Sequence, residues 1–222
     1  MENKKYMMLA CRNIEDEVDA AMKEADATFP VVYIPAKTHN VPQNMNKALQ
    51  AIIDSLTDID YLILPMGRCG NATVGLRSDR FSIVLPRCED CVNLLLSEDS
   101  LKVDRPQGHM FLTDGWLKSS MAINNEYDRT LEKYGEEKCN MIMQMMYGNY
   151  THFGLLNTGL YSLKKARQML EPLANCVQVE FKEMKAPFGI LKKMCALDWD
   201  DTNFVIVPPG EAVTEEMLEP VK

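Results

Sequence analysis

The chain has 222 residues, 46% of them hydrophobic, enough to bury one substantial α/β core, and 24 Lys and Arg stand against 32 Asp and Glu for a net charge of -8. That balance argues against a broad nucleic-acid surface or docking on an anionic membrane, while small anions can still bind locally. No apolar stretch approaches the roughly 20 residues a bilayer crossing needs, and Met1-Glu-Asn-Lys-Lys-Tyr6 lacks the succession that marks an export signal, so a cytoplasmic protein is expected.

Tyr6-Met-Met-Leu-Ala10 reads as a buried strand ending at Cys11, followed by a helix with Asn13 as its cap and Ile14, Val18, Ala21, Met22 and Ala25 as its stripe. Val31 to Pro35 is extended, residues 36–40 turn, and Met45, Ala48, Leu49, Ile52, Ile53 and Leu56 repeat at helical spacing. A third strand, Asp60 to Pro65, enters the glycine-bearing loop Met66-Gly-Arg-Cys-Gly-Asn-Ala-Thr-Val-Gly75. The fourth, Phe81 to Pro86, leads through Arg87-Cys-Glu-Asp-Cys91 into Val92 to Leu96, a helix that Asp90 or Glu89 can start. Four strand-and-helix units in succession predict an α/β, Rossmann-like fold, a mostly parallel sheet flanked by helices.

Beyond Ser100, Gly108 to Thr113 is extended, Asp114-Gly115 turns, and Tyr127 to Tyr147 is a long helix with a methionine-rich end. Thr151 to Leu156 is a strand entering Asn157-Thr-Gly159, Ser162 to Leu170 a helix, and Cys176 to Phe181 and Phe204 to Val207 two further strands, the last ending in Pro208-Pro-Gly-Glu211. A single unit over 1–222 is expected, its halves 1–100 and 101–222 forming similar lobes if the sheet divides.

The chemistry concentrates where strands end. Cys11, His39, Cys69, Cys88 and Cys91 each follow an apolar run, and parallel neighbours would bring them out at one sheet edge, where open α/β folds hold ligands. Seven cysteines in a reducing compartment read as thiols or metal ligands rather than a disulfide framework. The Cys88/Cys91 spacing can chelate one metal ion, but no second such pair exists, so zinc or an iron–sulfur cluster needs Cys69, with Cys11 or His39, supplied by folding. The competing readings are that Cys11 and Cys88 are small buried residues and that His39 braces its turn. A redox role for the pair is opposed by the charges of Glu89 and Asp90. Cys139, Cys176 and Cys195 read as core, His152 as packed, and His109, beside Gly108, as a weaker site candidate.

Arg68, Arg77, Arg80 and Arg87 cluster at the same corners of an acidic chain, so Arg68 and Arg87, with Gly70 and Asn71, are candidates to hold a small anion. The alternative is that Arg77 and Arg80 solvate the loop and Arg87 pairs with Glu89 or Asp90. The loop is neither a P-loop nor a GxGxxG turn. Thr158 joins the substrate-binding candidates, although Asn157-Thr-Gly159 and Pro208-Pro-Gly210 also read as plain turns. Met141, Met143, Met145 and Met146 are read as core filling, with a cover for a hydrophobic ligand as the alternative.

Taken together, Cys11, His39-Asn-Val-Pro42, Met66-Gly-Arg-Cys-Gly-Asn71 with Gly75-Leu76, Pro86-Arg87 with Asp90-Cys91, Asp114-Gly-Trp116, Asn157-Thr-Gly159 and Pro208-Pro-Gly210 resemble the family called domain of unknown function 1638, over about Met7 to Glu211. The resemblance implies an uncharacterised protein of anaerobes and methanogens, often encoded beside corrinoid-dependent methyl-transfer genes. It favours Cys69 and Cys91 as site residues with Cys11, His39 and Arg87 as companions, and Cys88 departs from the family pattern. Two functions are expected to compete. One is a metal-binding protein or enzyme of corrinoid-linked one-carbon metabolism, acting on a small anionic or thiol substrate. The other is a non-catalytic module that delivers a metal or cofactor to a methyltransferase system. The chain has no Asp-x-His-x-x-Gly corrinoid sequence, so a corrinoid would be carried by a partner protein.

Overall fold

The computed structural model describes residues 4–35 and 41–220. In chain order the elements are β1 (Tyr6–Cys11), α1 (Glu15–Glu24), β2 (Val31–Ile34), α2 (Pro42–Ser55), β3 (Tyr61–Ile63), β4 (Ser82–Pro86), α3 (Cys91–Leu96), β5 (His109–Leu112), α4 (Asp114–Lys118), α5 (Ile123–Tyr147), β6 (His152–Asn157), α6 (Leu163–Val177), β7 (Glu180–Lys185), α7 (Gly189–Cys195) and β8 (Phe204–Val207). They divide into two units, Met1–Val103 with Pro187–Lys222, and Asp104–Ala186. The chain thus leaves the first unit after Val103 and returns to it at Pro187, a division different from the halves expected at residue 100.

The first unit is built on a five-stranded sheet of order β2-β1-β3-β4-β8, parallel except for β8, which runs antiparallel to β4. Met8, Leu9, Ala10, Leu62, Ile63, Ile83, Val84 and Leu85 are all buried. Such continuous apolar runs belong to strands covered on both faces. Pro42 opens α2 at the position where a missing N–H costs nothing, and Met45, Leu49 and Ile53 are its buried stripe. From β1 the chain moves to β2 at one edge and then crosses back to β3. The strand order therefore reverses between β1 and β3, and ligands of open α/β sheets lie beyond the carboxyl ends at such a reversal.

The expected succession of four equivalent units fails at the third. No helix joins β3 to β4; residues 64–81 form a long connection of turns instead. The segment has no helical stripe, and Cys69, Gly70, Asn71 and Gly75 all adopt positive φ, which no helix accommodates. At the opposite edge of the sheet, Tyr6 stacks on Tyr61 at 5.5 Å and both rings meet Trp199.

The second unit is a three-stranded parallel sheet of order β5-β6-β7. Leu112, Phe153 and Leu155 pack with Cys139, Met143, Tyr147, Leu170, Leu173 and Val177 from α5 and α6. Asp114-Gly115 lies in a short helix rather than a turn, and α5 is broken at Gly135, φ 76°. The helix expected to end at Leu170 continues to Val177. Cys176 therefore sits in a helix, and the strand expected from it begins only at Glu180, because the left-handed Gln178 ends α6 first. Met143 is buried as core, but Met141, Met145 and Met146 are exposed, which corrects the reading of all four as core. Among the described residues no helix is long and apolar enough to cross a membrane.

Candidate functional site

Cys11 is the last residue of β1, Cys69 lies in the connection after β3, and Cys88 and Cys91 follow β4. These three strands are neighbours, so the four cysteines meet at the carboxyl edge of one sheet. The 64–81 connection is held against the turn after β4 by main-chain bonds, Arg68 N–H to Cys88 O at 2.8 Å and Cys69 N–H to Glu89 O at 2.7 Å. Gly67 makes that approach possible. A Cβ there would stand 2.4 Å from Cys88 O and 2.7 Å from Asp90 N, closer than any side-chain carbon can come. From α2, Asn46 Nδ2 donates to the carbonyls of Ala72 and Val74, and Thr73 Oγ1 donates to Gly67 O. The C-terminal segment closes the far side through Gly75 N–H to Val213 O and Gly210 N–H to Ser78 O.

Within this frame Cys69 has φ 47°, followed by Gly70 at 65° and Asn71 at 71°. A left-handed cysteine is disfavoured, and such backbone strain gathers at functional sites. Asp90 begins α3, its carboxylate accepting from Val92 and Asn93 N–H. Cys11 Sγ accepts from Asn13 N–H at 3.4 Å, and Cys88 Sγ donates to Asp90 O.

All four sulfurs are held as thiols. Burial pushes Cys11 up to about 11, against the opposing effect of Asn13 N–H. For Cys69 burial dominates, with the charges of Asp90 and Cys11 added, and the thiol is pushed up to about 12 although the N–H groups of Gly67 and Cys91 favour its ionised form. Cys88 and Cys91 are raised well above the ordinary thiol value, by burial first and then by Cys69; Asp90 raises both, and Cys11 also acts on Cys91. Through these effects Cys69 and Cys91 each lie within electrostatic reach of the other three sulfurs. Ionising one raises the others, unless a cation arrives to share the charge.

Among the described residues, no group of three or more His, Cys, Asp or Glu side chains stands at metal-ligand spacing. The thiols converge without being drawn to bonding distance. His39 lies outside the described residues.

The arginines serve the frame. Arg68 donates to both Glu89 oxygens and to Glu215, joining the connection to the turn after β4 and to the C-terminal segment. Arg87 donates from Nε to the carbonyls of Asp201 and Phe204 and from Nη1 to that of Met217. It does not pair with Glu89 or Asp90. Arg80 donates to the carbonyls of Ile53 and Asp54 at the end of α2, and Arg77 pairs with Asp79. Gly70 and Asn71 are exposed beside Cys69. Thr158 belongs to the second unit, after β6, with its Oγ1 buried and without a hydrogen-bond partner among the described residues. Sequence reasoning missed Gly67, Asn46 and Glu215. Gly67, two residues before Cys69, was the available signal, whereas nothing local marks Asn46 or Glu215.

Fold and site together define an open α/β protein with a thiol cluster at the topological reversal of its larger sheet. The family model described as protein of unknown function (DUF1638) matches residues 33–195, and the chain belongs to that family. His39, Cys69, Cys88, Cys91, Arg68, Arg87 and Thr158 fall inside the match, and Cys11 and Pro208-Pro-Gly210 outside it. No curated protein and no solved structure matches the chain.

Proposed function

We propose that the first unit is a metal-binding thiol centre, with Cys69 and Cys91 as the central ligands and Cys11 and Cys88 completing the set as the cluster contracts. The observation that carries this reading is the convergence of four thiols at three adjacent strand ends, with Cys69 and Cys91 each coupled to the other three and Asp90 acting on Cys69, Cys88 and Cys91. The surroundings suit a cation. Asp90 disfavours every additional negative charge, and Arg68 is already neutralised by Glu89 and Glu215. An anionic substrate reaches Arg68 only by displacing one of those carboxylates, so a neutral thiol or a protein-borne group is the better-matched partner. Zinc or an iron–sulfur cluster fits a thiolate-rich donor set, and bound zinc would supply Lewis acidity and an ionised thiol at neutral pH. The chain's own residues hold the sulfurs: Gly67 lets the two turns touch, Asn46 and Thr73 fix the loop, and Arg68 and Arg87 fasten the C-terminal segment beside it.

The corrinoid-linked methyl-transfer setting rests on the family resemblance, and in it this centre would act with a corrinoid or methyltransferase partner. The second reading, a carrier that hands a metal or cofactor to that system, uses the same site. Elemental analysis and optical spectra of anaerobically purified protein test the centre. Bound zinc or iron lost in Cys69→Ser and Cys91→Ser and kept in Cys139→Ser and Cys195→Ser is expected. Protein that takes up neither metal, or whose loading ignores Cys69 and Cys91, overturns it. Turnover of methyl donors with thiols then separates enzyme from carrier.

A further inference from the structure

His109, His152 and Glu180 open the three strands of the second unit, and the registers His109↔His152 and His152↔Glu180 set them in one row. Register partners share a face, and neighbouring strands lie about 4.8 Å apart. Phe153 and Leu155 alternate to the other face, where they meet α5 and α6. The row's own face continues along the strands as Phe111, Gly154 and Met184, the phenyl ring and the thioether both approaching the place a Gly154 side chain would take. Two of the chain's three histidines are thus neighbours, their rings stacked at 4.4 Å with 10° between planes.

The hydrogen bond of His109 fixes which of its nitrogens carries the proton. His109 Nδ1 is 3.2 Å from Gln107 O, and a carbonyl only accepts, so Nδ1 bears the hydrogen. His152 Nδ1 is 2.9 Å from Thr151 Oγ1, a hydroxyl that can accept as well as donate, so this ring can take the tautomer that frees Nε2. Nε2 of His109 is left with its lone pair, and a metal ion selects the same tautomer at His152. A donor bond from the second nitrogen to an oxygen is the arrangement that orients metal-ligating histidines. The Glu180 carboxylate stands 3.9 Å from His152 Nε2 on a side chain 87% exposed.

We propose that His109, His152 and Glu180 form a binding site for a divalent first-row transition-metal ion, held by the two Nε2 atoms and the carboxylate with the remaining positions left to solvent. Bonds of about 2.0–2.2 Å require Glu180 to swing inward and the stacked rings to splay. Exposure allows the first movement and the half-buried rings the second. Lys182, on the same face one step along β7, is exposed, and its long side chain carries its charge toward solvent. The site uses no residue of the thiol centre and stands or falls separately from it.

Cobalt(II) added to the whole chain distinguishes the two, because thiolate ligation produces strong sulfur-to-cobalt charge-transfer absorption and nitrogen–oxygen ligation does not. The expected result is an equivalent of cobalt bound without that absorption, with two histidine ring signals broadened in the proton NMR spectrum. This binding persists in a Cys69→Ser/Cys91→Ser double variant and weakens at least about tenfold in His109→Ala and in His152→Ala, with a smaller loss in Glu180→Gln. Should His109→Asn and His152→Asn, which keep a polar side chain in the row, also lose binding while the circular dichroism spectrum is unchanged, collapse of the fold is excluded as the cause. Undiminished cobalt binding in both histidine variants, or cobalt that binds only with the thiolate absorption, overturns the proposal.

Discussion

Gly67 is the residue on which the thiol cluster's geometry turns. Its missing side chain lets the connection after β3 lie against the turn after β4, and the bonds from Arg68 and Cys69 to Cys88 O and Glu89 O lock that contact. Gly67→Ala places a methyl group 2.4 Å from Cys88 O, with only main chain to move aside. Relief requires breaking both main-chain bonds in a buried place, so a loss of stability on the order of 2–4 kcal/mol is expected, read from urea denaturation. Metal uptake at the thiols should fall with it. An alanine variant with unchanged stability would mean that the two turns are not held in contact.

At the scale of elements, Asp90 has two effects that can be separated. Its carboxylate caps α3, and its charge raises the thiols of Cys69, Cys88 and Cys91. Asp90→Ser keeps a capping oxygen and removes the charge, so stability should change by less than about 0.5 kcal/mol while alkylation of the cysteines at pH 8.5 accelerates. Asp90→Ala should show the same acceleration with a further loss of about 1 kcal/mol; equal alkylation rates in Asp90→Ser and the unaltered chain would remove Asp90 from the electrostatics of the site. The strands and α2 were legible because burial on both faces or along one stripe leaves continuous or periodic apolar residues, and strand ends located Cys11, Cys69, Cys88 and Cys91 in advance. What stayed hidden depends on contacts distant in sequence. The return of Pro187–Lys222 to the first unit, the antiparallel entry of β8 and the capture of Arg68 and Arg87 by that segment leave no local pattern. The row of His109, His152 and Glu180 is of the same kind, since each residue alone is an ordinary strand opening and only the register aligns them.

For the chain as a whole, the buried thiols predict how stability varies with pH. Unfolded cysteine ionises near about 8.5, whereas Cys11 is raised to about 11 and Cys195, by burial alone, to about 12. Between those values the folded chain keeps protons that the unfolded chain has released. Stability is therefore fully present below about pH 8.5 and falls as pH rises, by up to about 1.4 kcal/mol per pH unit for each such thiol, until the folded groups ionise in turn. Tyr33, Tyr127 and Tyr147, also raised, act in the same direction only as pH nears the ordinary tyrosine range at about 10, so urea denaturation at about pH 7.5 to 9 isolates the cysteines. Cys195→Ala should flatten that slope by about one thiol's share whether or not metal is present, because Cys195 lies outside the cluster. Zinc should flatten a larger part, since coordinated sulfurs have already given up their protons, and its affinity should rise with pH for the same reason. Superimposable curves with and without zinc over this range would mean that the ion does not bind at Cys11, Cys69, Cys88 and Cys91.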